Sequence, residues 1–243
     1  MKLADAFTSP EQKQRYVRTL FATIADQYDF ITVALSFGRD RAWKRRLVRE
    51  ARLRRGERVI DLACGTGDIA LEAARAGAEV IGLDVTHRMV EIANAKAGFA
   101  RAHGAVVVPR FTVGDMMALP FGNESADAVT TGYGLRNVPR LEEAIGEIAR
   151  VLKPGGRLLS LDFNRPQSTV IRAAYLSYLT VVGSALGWVL HRDPDTYRYI
   201  PESIRRYPGA QGIASMLRAR GFRDVRVLPV LAGFMTLHVA TRE

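Results

Sequence analysis

Carboxylates close three predicted strands in this 243-residue sequence, and two glycines, Gly65 and Gly67, follow the first of them. The carboxyl ends of parallel strands meet at one edge of a sheet, where open α/β folds bind ligands. At that edge Asp61 suits an ammonium group, Asp84 the hydroxyls of a ribose, and Asp115 an adenine amino group. The glycines allow a tight turn and close approach of the backbone to a ligand. The pattern predicts a cationic, adenosine-bearing ligand, and S-adenosylmethionine fits.

The glycines alone do not identify the ligand, because Gly65-x-Gly67-x-x-Ala70 also matches a dinucleotide fingerprint. Asp61 stands inside the strand end, four residues before the first glycine, which favours an ammonium group over a pyrophosphate. Each acid also has a structural reading, as a helix cap or a turn residue. Their joint spacing favours ligand binding.

An alternation of short apolar strands and amphipathic helices surrounds these residues. Strands are predicted over 58–64, 78–84, the second half of 106–115 (after Pro109), 126–134 and 157–163, and helices over 68–77, 87–104 and 141–152. Residues 221–242 read as two strands without an intervening helix. This order predicts an α/β fold, with a doubly wound, mostly parallel seven-stranded sheet and an antiparallel C-terminal edge hairpin.

Composition points to a folded protein of a reducing compartment. Hydrophobic residues make up 48% and charged residues 25%, which excludes disordered and collagen-like classes. The single cysteine, Cys64, excludes a disulfide scaffold and favours a cytoplasmic location. The N-terminus lacks the apolar run of a secretory signal. We expect one domain over 1–243, in which helical segments 1–55 and 166–210 flank the sheet.

Two further segments indicate which binding partners the protein could have. Residues 39–55 hold nine basic residues against two acidic ones, within a net charge of +10. This basic cluster is either a solvated helix face or a site for anionic lipid headgroups, and no nucleic-acid-binding motif accompanies it. Residues 173–190 are uncharged and long enough to span a membrane, yet their polar side chains and position favour either a cap over an apolar pocket or part of the core.

Several motifs together resemble the ubiquinone/menaquinone biosynthesis C-methyltransferases. The matching segments are DLACGTGD, GLDVTHRM, ALPF, GYGLRNV, RVLKPGGRLL and YRYIPESI, within a resemblance that runs from about residue 21 to 238. It implies a Rossmann-like class I methyltransferase fold, S-adenosylmethionine as methyl donor, and methylation of a ring carbon on a polyprenylated benzoquinol or naphthoquinol. It also places Thr66 and Met116 among the cofactor-binding positions.

The sequence departs from the family pattern at three places. Thr32 stands where the family has Asn, Gly132 where a cofactor-contacting Ser is common, and LDFN replaces LEFS. The cofactor site therefore looks intact, with Gly132 as part of it, while the acceptor is less certain.

The implied chemistry needs alignment and charge placement and no metal. We expect Arg136, with Asn137, to face the reacting carbon and to stabilise a developing phenolate, since a guanidinium remains protonated. Tyr28 and Asp29 are expected to complete the pocket, and Asp29 or a water takes the proton. Arg136 could instead pair with a carboxylate, and Tyr28 could be core.

The leading hypothesis is a demethylmenaquinone methyltransferase or its benzoquinol counterpart, with the 1–55 and 166–210 segments capping the substrate and a peripheral contact with an anionic membrane. Two alternatives stay open: methylation of another lipophilic acceptor, such as a sterol or phospholipid headgroup, and a non-catalytic cofactor-binding scaffold. The sequence leaves open a homodimer or a quinone-biosynthesis complex.

Overall fold

Within residues 3–243, which the computed structural model describes, seven strands form one sheet. The strands are β1 (Arg58–Leu62), β2 (Glu79–Asp84), β3 (Arg110–Val113), β4 (Ala126–Gly132), β5 (Leu152–Phe163), β6 (Phe222–Val230) and β7 (Met235–Arg242). Their order is β3-β2-β1-β4-β5-β7-β6. Strands β1 to β5 pair in parallel, and β7 runs antiparallel to both β5 and β6. The predicted fold class is confirmed, with the hairpin at the sheet edge.

The helices flank this sheet and extend beyond its strand ends. They are α1 (Pro10–Ile24), α2 (Tyr28–Leu35), α3 (Asp40–Ala51), α4 (Asp68–Arg75), α5 (His87–Ala102), α6 (Leu141–Val151), α7 (Thr169–His191), α8 (Asp195–Arg206) and α9 (Gly209–Ala219). Short 3-10 helices lie at Leu3–Phe7, Ala25–Gln27, Leu135–Asn137 and Leu231–Gly233. Helix α1 begins at Pro10 because the Ser9 side chain accepts a hydrogen bond from the backbone of Gln12, a local N-cap.

Two apolar layers hold the helices against the sheet. On one face α3 and α4 pack against β1 through a cluster that includes Leu47, Ala73 and Val59. On the other face α6 and α9 supply Ile148 and Ile213. Side chains alternate along each buried strand and therefore contribute to both layers.

A third layer covers the carboxyl ends of the strands. Helices α1, α2 and α8 share an apolar cluster that contains Tyr16, Leu20, Ile31, Tyr197 and Tyr199, and α7 packs along α8. The segments predicted to be helical, 1–55 and 166–210, thus meet above the sheet; residues 1 and 2 lie outside the described part. Helix α7 is long and apolar enough to cross a membrane, but such a helix by itself is weak evidence for a span.

One strand begins earlier than predicted. The segment 153–156, which lies between the predicted helix 141–152 and the predicted strand 157–163, is inside β5. The ladder with β4 is irregular there, because Leu152 pairs with Ala126 while Arg157 already pairs with Ala128. Residues 153–156 therefore form a bulge within β5, in which Gly155 has a φ of 77°.

Candidate active site

The loop that joins β1 to α4 is built around Gly67. Its φ of 87° lies in the left-handed region, and a Cβ there would lie 2.7 Å from the Phe111 ring. Gly65, also left-handed, donates its backbone N–H to Asp84 Oδ2 at 2.9 Å. The loop therefore folds back over the end of β2 and presents its backbone to the space above the sheet.

Two acids line that space: Asp84, the last residue of β2, and Asp115, which lies two residues after the end of β3. Asp84 Oδ1 accepts the backbone N–H of Thr86 at 2.8 Å, and burial raises the pKa of Asp84. Asp115 accepts the backbone N–H of Met117 at 2.9 Å and the side-chain amide of Gln14 on α1 at 2.5 Å. Both carboxylates are thus fixed in orientation by the protein before any ligand binds.

We call the space above these strand ends the cofactor cavity. Its void measures about 690 Å³, and its walls include Gly65, Asp84, Asp115, Met116, Gly132 and Asn137. A Cβ on Gly132 would come within 2.7 Å of Ile69 Cδ1, so a serine here would require the end of the Ile69 side chain to move. Among the described residues, the buried Oδ1 of Asn137 has no hydrogen-bond partner, so the cavity wall offers an unused acceptor.

A second void adjoins the first, and we call it the aromatic cavity. It measures about 870 Å³ and lies between α1, α2, α7, α8 and the end of β5. Its walls are largely apolar, and its aromatic side chains include Trp43, Phe163, Tyr175, Tyr178, Tyr197 and Tyr199. Three residues line both voids: Phe21, Tyr28 and Tyr133.

The two shared tyrosines differ in their anchoring. Tyr133 adopts a φ of 62°, an unfavourable backbone conformation for an aromatic residue, and its hydroxyl donates to Asp40 Oδ1 at 2.8 Å. Tyr28 enters from the first turn of α2, and burial raises its pKa to about 12. Both hydroxyls therefore stay protonated near neutral pH, at the point where the cavities meet.

Arg136 is the cation of the aromatic cavity. Its Nη1 donates to the carbonyl of Tyr133 at 2.6 Å and contacts Asp162 Oδ1 at 3.2 Å, and its guanidinium lies 4.9 Å from the Phe163 ring centroid. Its Nε is buried without a partner among the described residues. Burial raises the pKa of Asp162, and the Arg136 charge opposes that rise. The alternative that Arg136 pairs with a carboxylate thus describes its resting state.

Other predicted site residues lie outside both cavity walls. Asp61 is fully buried under the loop, where it accepts hydrogen bonds from Thr130 and the backbone of Ala70, and burial raises its pKa to about 7. Asp29 points away from the cavities, with Oδ2 at 2.5 Å from Lys96 Nζ. Neither Asp61 nor Asp29 is among the residues that line the two cavities.

Thr66 and Gly67 also lie outside the cavity walls. The Thr66 hydroxyl donates to Asp29 Oδ1 at 2.5 Å. Of this loop, Ala63 and Gly65 line the cofactor cavity.

Four contributors to the site escaped the sequence reasoning. Gln14 reaches Asp115 across 101 residues, and Lys13 donates to the carbonyls of Arg136 and Val138 at 3.0 and 2.7 Å. Tyr133 and Asp40 meet across 93 residues. No local pattern signals such pairs, although Tyr133 lies within the GYGLRNV motif.

Comparison with known proteins places the relatives of this chain in one methyltransferase family. A model of the ubiE/COQ5 methyltransferase family matches residues 9–242. The chain is 39% identical over 232 residues to the ubiquinone/menaquinone biosynthesis C-methyltransferase UbiE of Rubrivivax gelatinosus, covering 96% of this chain and 88% of that protein. It is 40% identical over 225 residues to the demethylmenaquinone methyltransferase of Thermus thermophilus, covering 92% and 100%.

Solved structures share the fold at lower sequence identity. A possible histamine N-methyltransferase from Thermotoga maritima matches with a TM-score of 0.66 and 18% identity, covering 93% of this chain and 100% of that one. Magnesium protoporphyrin IX methyltransferase from Synechocystis, solved with bound S-adenosylmethionine, matches with a TM-score of 0.64 and 18% identity, covering 95% and 97%.

Proposed function

This chain belongs to the ubiE/COQ5 methyltransferase family, and from that premise we propose that it methylates a ring carbon of a polyprenylated quinol held in the aromatic cavity. The resemblance inferred from its motifs is confirmed. The protein is an S-adenosylmethionine-dependent C-methyltransferase of quinone biosynthesis. The acceptor we propose is demethylmenaquinol or the related benzoquinol, since both present a carbon beside a hydroxyl group.

The observation that carries the proposal is the shared wall of the two cavities. The cofactor cavity has fixed carboxylates and the aromatic cavity an apolar lining, and Tyr28 and Tyr133 line both. A donor in one and a ring in the other would meet beside these shared side chains. Group transfer needs this proximity, which removes much of the entropic barrier.

The residues of the cofactor cavity fit S-adenosylmethionine. Asp84 and Asp115 offer carboxylates to ribose hydroxyls and to an adenine amino group, and Gly132 leaves room beside the loop. The unpartnered Oδ1 of Asn137 is an acceptor suited to a positively charged group. When bound, S-adenosylmethionine supplies a methyl group on a positively charged sulfur.

Arg136 is placed to assist the acceptor. Loss of the hydroxyl proton moves electron density to the neighbouring ring carbon, and the resulting oxyanion needs a donor that remains charged. Arg136 lines the aromatic cavity, and its Nε lacks a partner among the described residues. The contact between Nη1 and Asp162 holds the guanidinium in place and leaves the Nε edge of the guanidinium for the acceptor.

A membrane surface is the proposed source of the acceptor. Phe37 and Tyr178 line the aromatic cavity and are exposed, so they mark its mouth. Beside Phe37 begins the basic cluster, in which Lys44 is buried but the arginines are half-buried or exposed. Helix α7 adds exposed apolar side chains, among them Val181 and Trp188. We propose that this face contacts an anionic bilayer peripherally and lets a prenyl tail enter from it.

Turnover with defined acceptors tests the proposed function. Purified protein is incubated with labelled S-adenosylmethionine and a short-tailed demethylmenaquinol, the matching benzoquinol, a sterol or a phospholipid, and the product is identified by mass spectrometry. We expect a ring-methylated quinol. A methylated sterol or headgroup would replace the proposal, and cofactor binding without turnover on any acceptor would favour a scaffold.

A further inference from the structure

Of the two tyrosine hydroxyls where the cavities meet, that of Tyr133 has a hydrogen-bonded carboxylate to which a proton can pass. Tyr133 lines both voids, and its Oη donates to Asp40 Oδ1 at 2.8 Å. Because that hydroxyl proton points to Asp40, the oxygen can accept a hydrogen bond from the cavity side. Arg136, the proposed oxyanion partner, is its neighbour, since Nη1 donates to the Tyr133 carbonyl.

From this geometry we infer that Tyr133 and Asp40 form a proton relay that takes the hydroxyl proton of the quinol as its ring carbon is methylated. The inference rests on the proposed function. Tyr133 would be the catalytic residue that contacts the substrate, and Asp40, which acts through it, a positioning residue that receives the proton.

Each bond change in the relay is balanced. The substrate O–H bond breaks as a new Tyr133 O–H bond forms, and the former Tyr133 proton passes to Asp40 Oδ1. The electron pair left on the substrate oxygen conjugates into the ring, whose carbon bonds to the methyl group as the methyl–sulfur pair stays on sulfur. The ring proton of that carbon then passes to water, and Asp40 returns its proton to the oxygen through Tyr133.

The lysine beside Asp40 has a second carboxylate partner. Asp40 is buried, and Lys44 Nζ lies 2.6 Å from its Oδ2 and 2.9 Å from Asp68 Oδ2. Lys44 therefore keeps a charged partner in Asp68 when Asp40 is neutral. The groups that face the relay are Lys44 from α3, Tyr28 from α2, Asp162 from β5 and, through Lys44, Asp68 from α4.

The other candidate bases are less well placed. Asp162 lines neither cavity, and its oxygens accept hydrogen bonds from Arg136 Nη1 and from the backbone N–H groups of Arg136 and Phe163. A second tyrosine-based pair joins Tyr197 to His191 Nε2 at 2.8 Å, but Tyr197 lines the aromatic cavity alone. Tyr197 therefore provides the comparison variant in the test.

The test compares the pH dependence of kcat for wild type, Tyr133→Phe, Asp40→Asn and Tyr197→Phe, with short-tailed demethylmenaquinol. Tyr133→Phe removes one oxygen and keeps the ring, so kcat at pH 7 should fall roughly 10²-fold or more, the scale of acid–base catalysis. The deficit should shrink as pH rises, by about tenfold per unit, because a phenolic hydroxyl with a pKa near 10 ionises more readily without help. Asp40→Asn should show the same convergence.

Controls separate relay from structure. Asp127→Asn breaks a carboxylate–lysine pair of the same 2.6 Å length but greater exposure, to Lys153, away from both cavities, and should leave kcat unchanged. Thermal unfolding and calorimetry with S-adenosylmethionine verify folding and cofactor binding, and Tyr133→Phe supplies the answer alone if Asp40→Asn does not fold.

A Tyr133→Phe deficit that stays constant with pH, or a converging deficit in Tyr197→Phe instead, would overturn the relay while wild-type turnover upholds the proposed function. No wild-type turnover of the quinol would overturn both.

Discussion

Replacing Arg136 by methionine should reveal two separable effects, one on stability and one on turnover. Asp162 is fully buried, and Arg136 is the cation that contacts it, at 3.2 Å. Removing one partner of a buried pair costs about 3–5 kcal/mol. At roughly 2–4 °C per kcal/mol for a chain of this size, the Tm of Arg136→Met should fall by about 6–20 °C.

The stability loss should depend on pH. Burial raises the pKa of Asp162 and Arg136 opposes that rise, so the pKa climbs further when the guanidinium is gone. A raised carboxyl pKa in the folded state means that stability is present at low pH and lost as pH rises through that pKa. The Tm deficit of Arg136→Met should therefore be smaller at pH 5.5 than at pH 8.

The double variant Arg136→Met/Asp162→Asn separates the two effects. Without a buried charge to strand, most of the lost Tm should return, while kcat stays roughly 10²-fold below wild type because the charged donor is still missing. Affinity for S-adenosylmethionine, measured by calorimetry, should barely move in either variant. If the double variant regained wild-type kcat together with its Tm, Arg136 would be a structural residue and its role toward the oxyanion would be refuted.

Two further predictions follow from other parts of the molecule. Burial lowers the pKa of Lys13 to about 8, so above that pH the folded protein binds fewer protons than the unfolded chain, and its stability should rise from about pH 8 towards pH 10. Denaturant unfolding of Lys13→Met should lack this rise, and parallel curves of stability against pH for the variant and the wild type would contradict the prediction. Trp188→Ser should weaken sedimentation with anionic vesicles by about tenfold, whereas Phe99→Ser, which removes a side chain of the same 67% exposure on α5, should not; equal losses would exclude α7 as the membrane-facing element.

The sheet and the glycine loop could be predicted because their signals are local. The apolar run of β1 is bounded by residues that demand a turn, and Gly67 is confined by its own backbone conformation. The positions of Asp84 and Asp115 at successive strand ends also follow from strand order alone, and the structure brings both to one cavity.

The covering layer could not be predicted in the same way, because it depends on contacts between distant segments. Lys44 belongs to an apparent surface cluster in the sequence, yet packing of α3 against α4 buries it between Asp40 and Asp68. Asp29 follows Tyr28 directly, but the helix turns the two side chains apart, so Tyr28 lines the cavities while Asp29 pairs with Lys96. Sequence proximity thus suggested a shared role that helix geometry prevents.

A crystal structure of the protein with S-adenosylhomocysteine and a short-tailed demethylmenaquinol tests the central claim most directly. The account predicts the nucleoside in the cofactor cavity beside Asp84 and Asp115, and the quinol ring in the aromatic cavity. There one ring oxygen should lie within hydrogen-bond distance of Arg136, and the prenyl tail should leave past Phe37 and Tyr178. A quinol bound outside the aromatic cavity, or one whose reacting carbon is separated from the cofactor by Tyr28 and Tyr133, would contradict it.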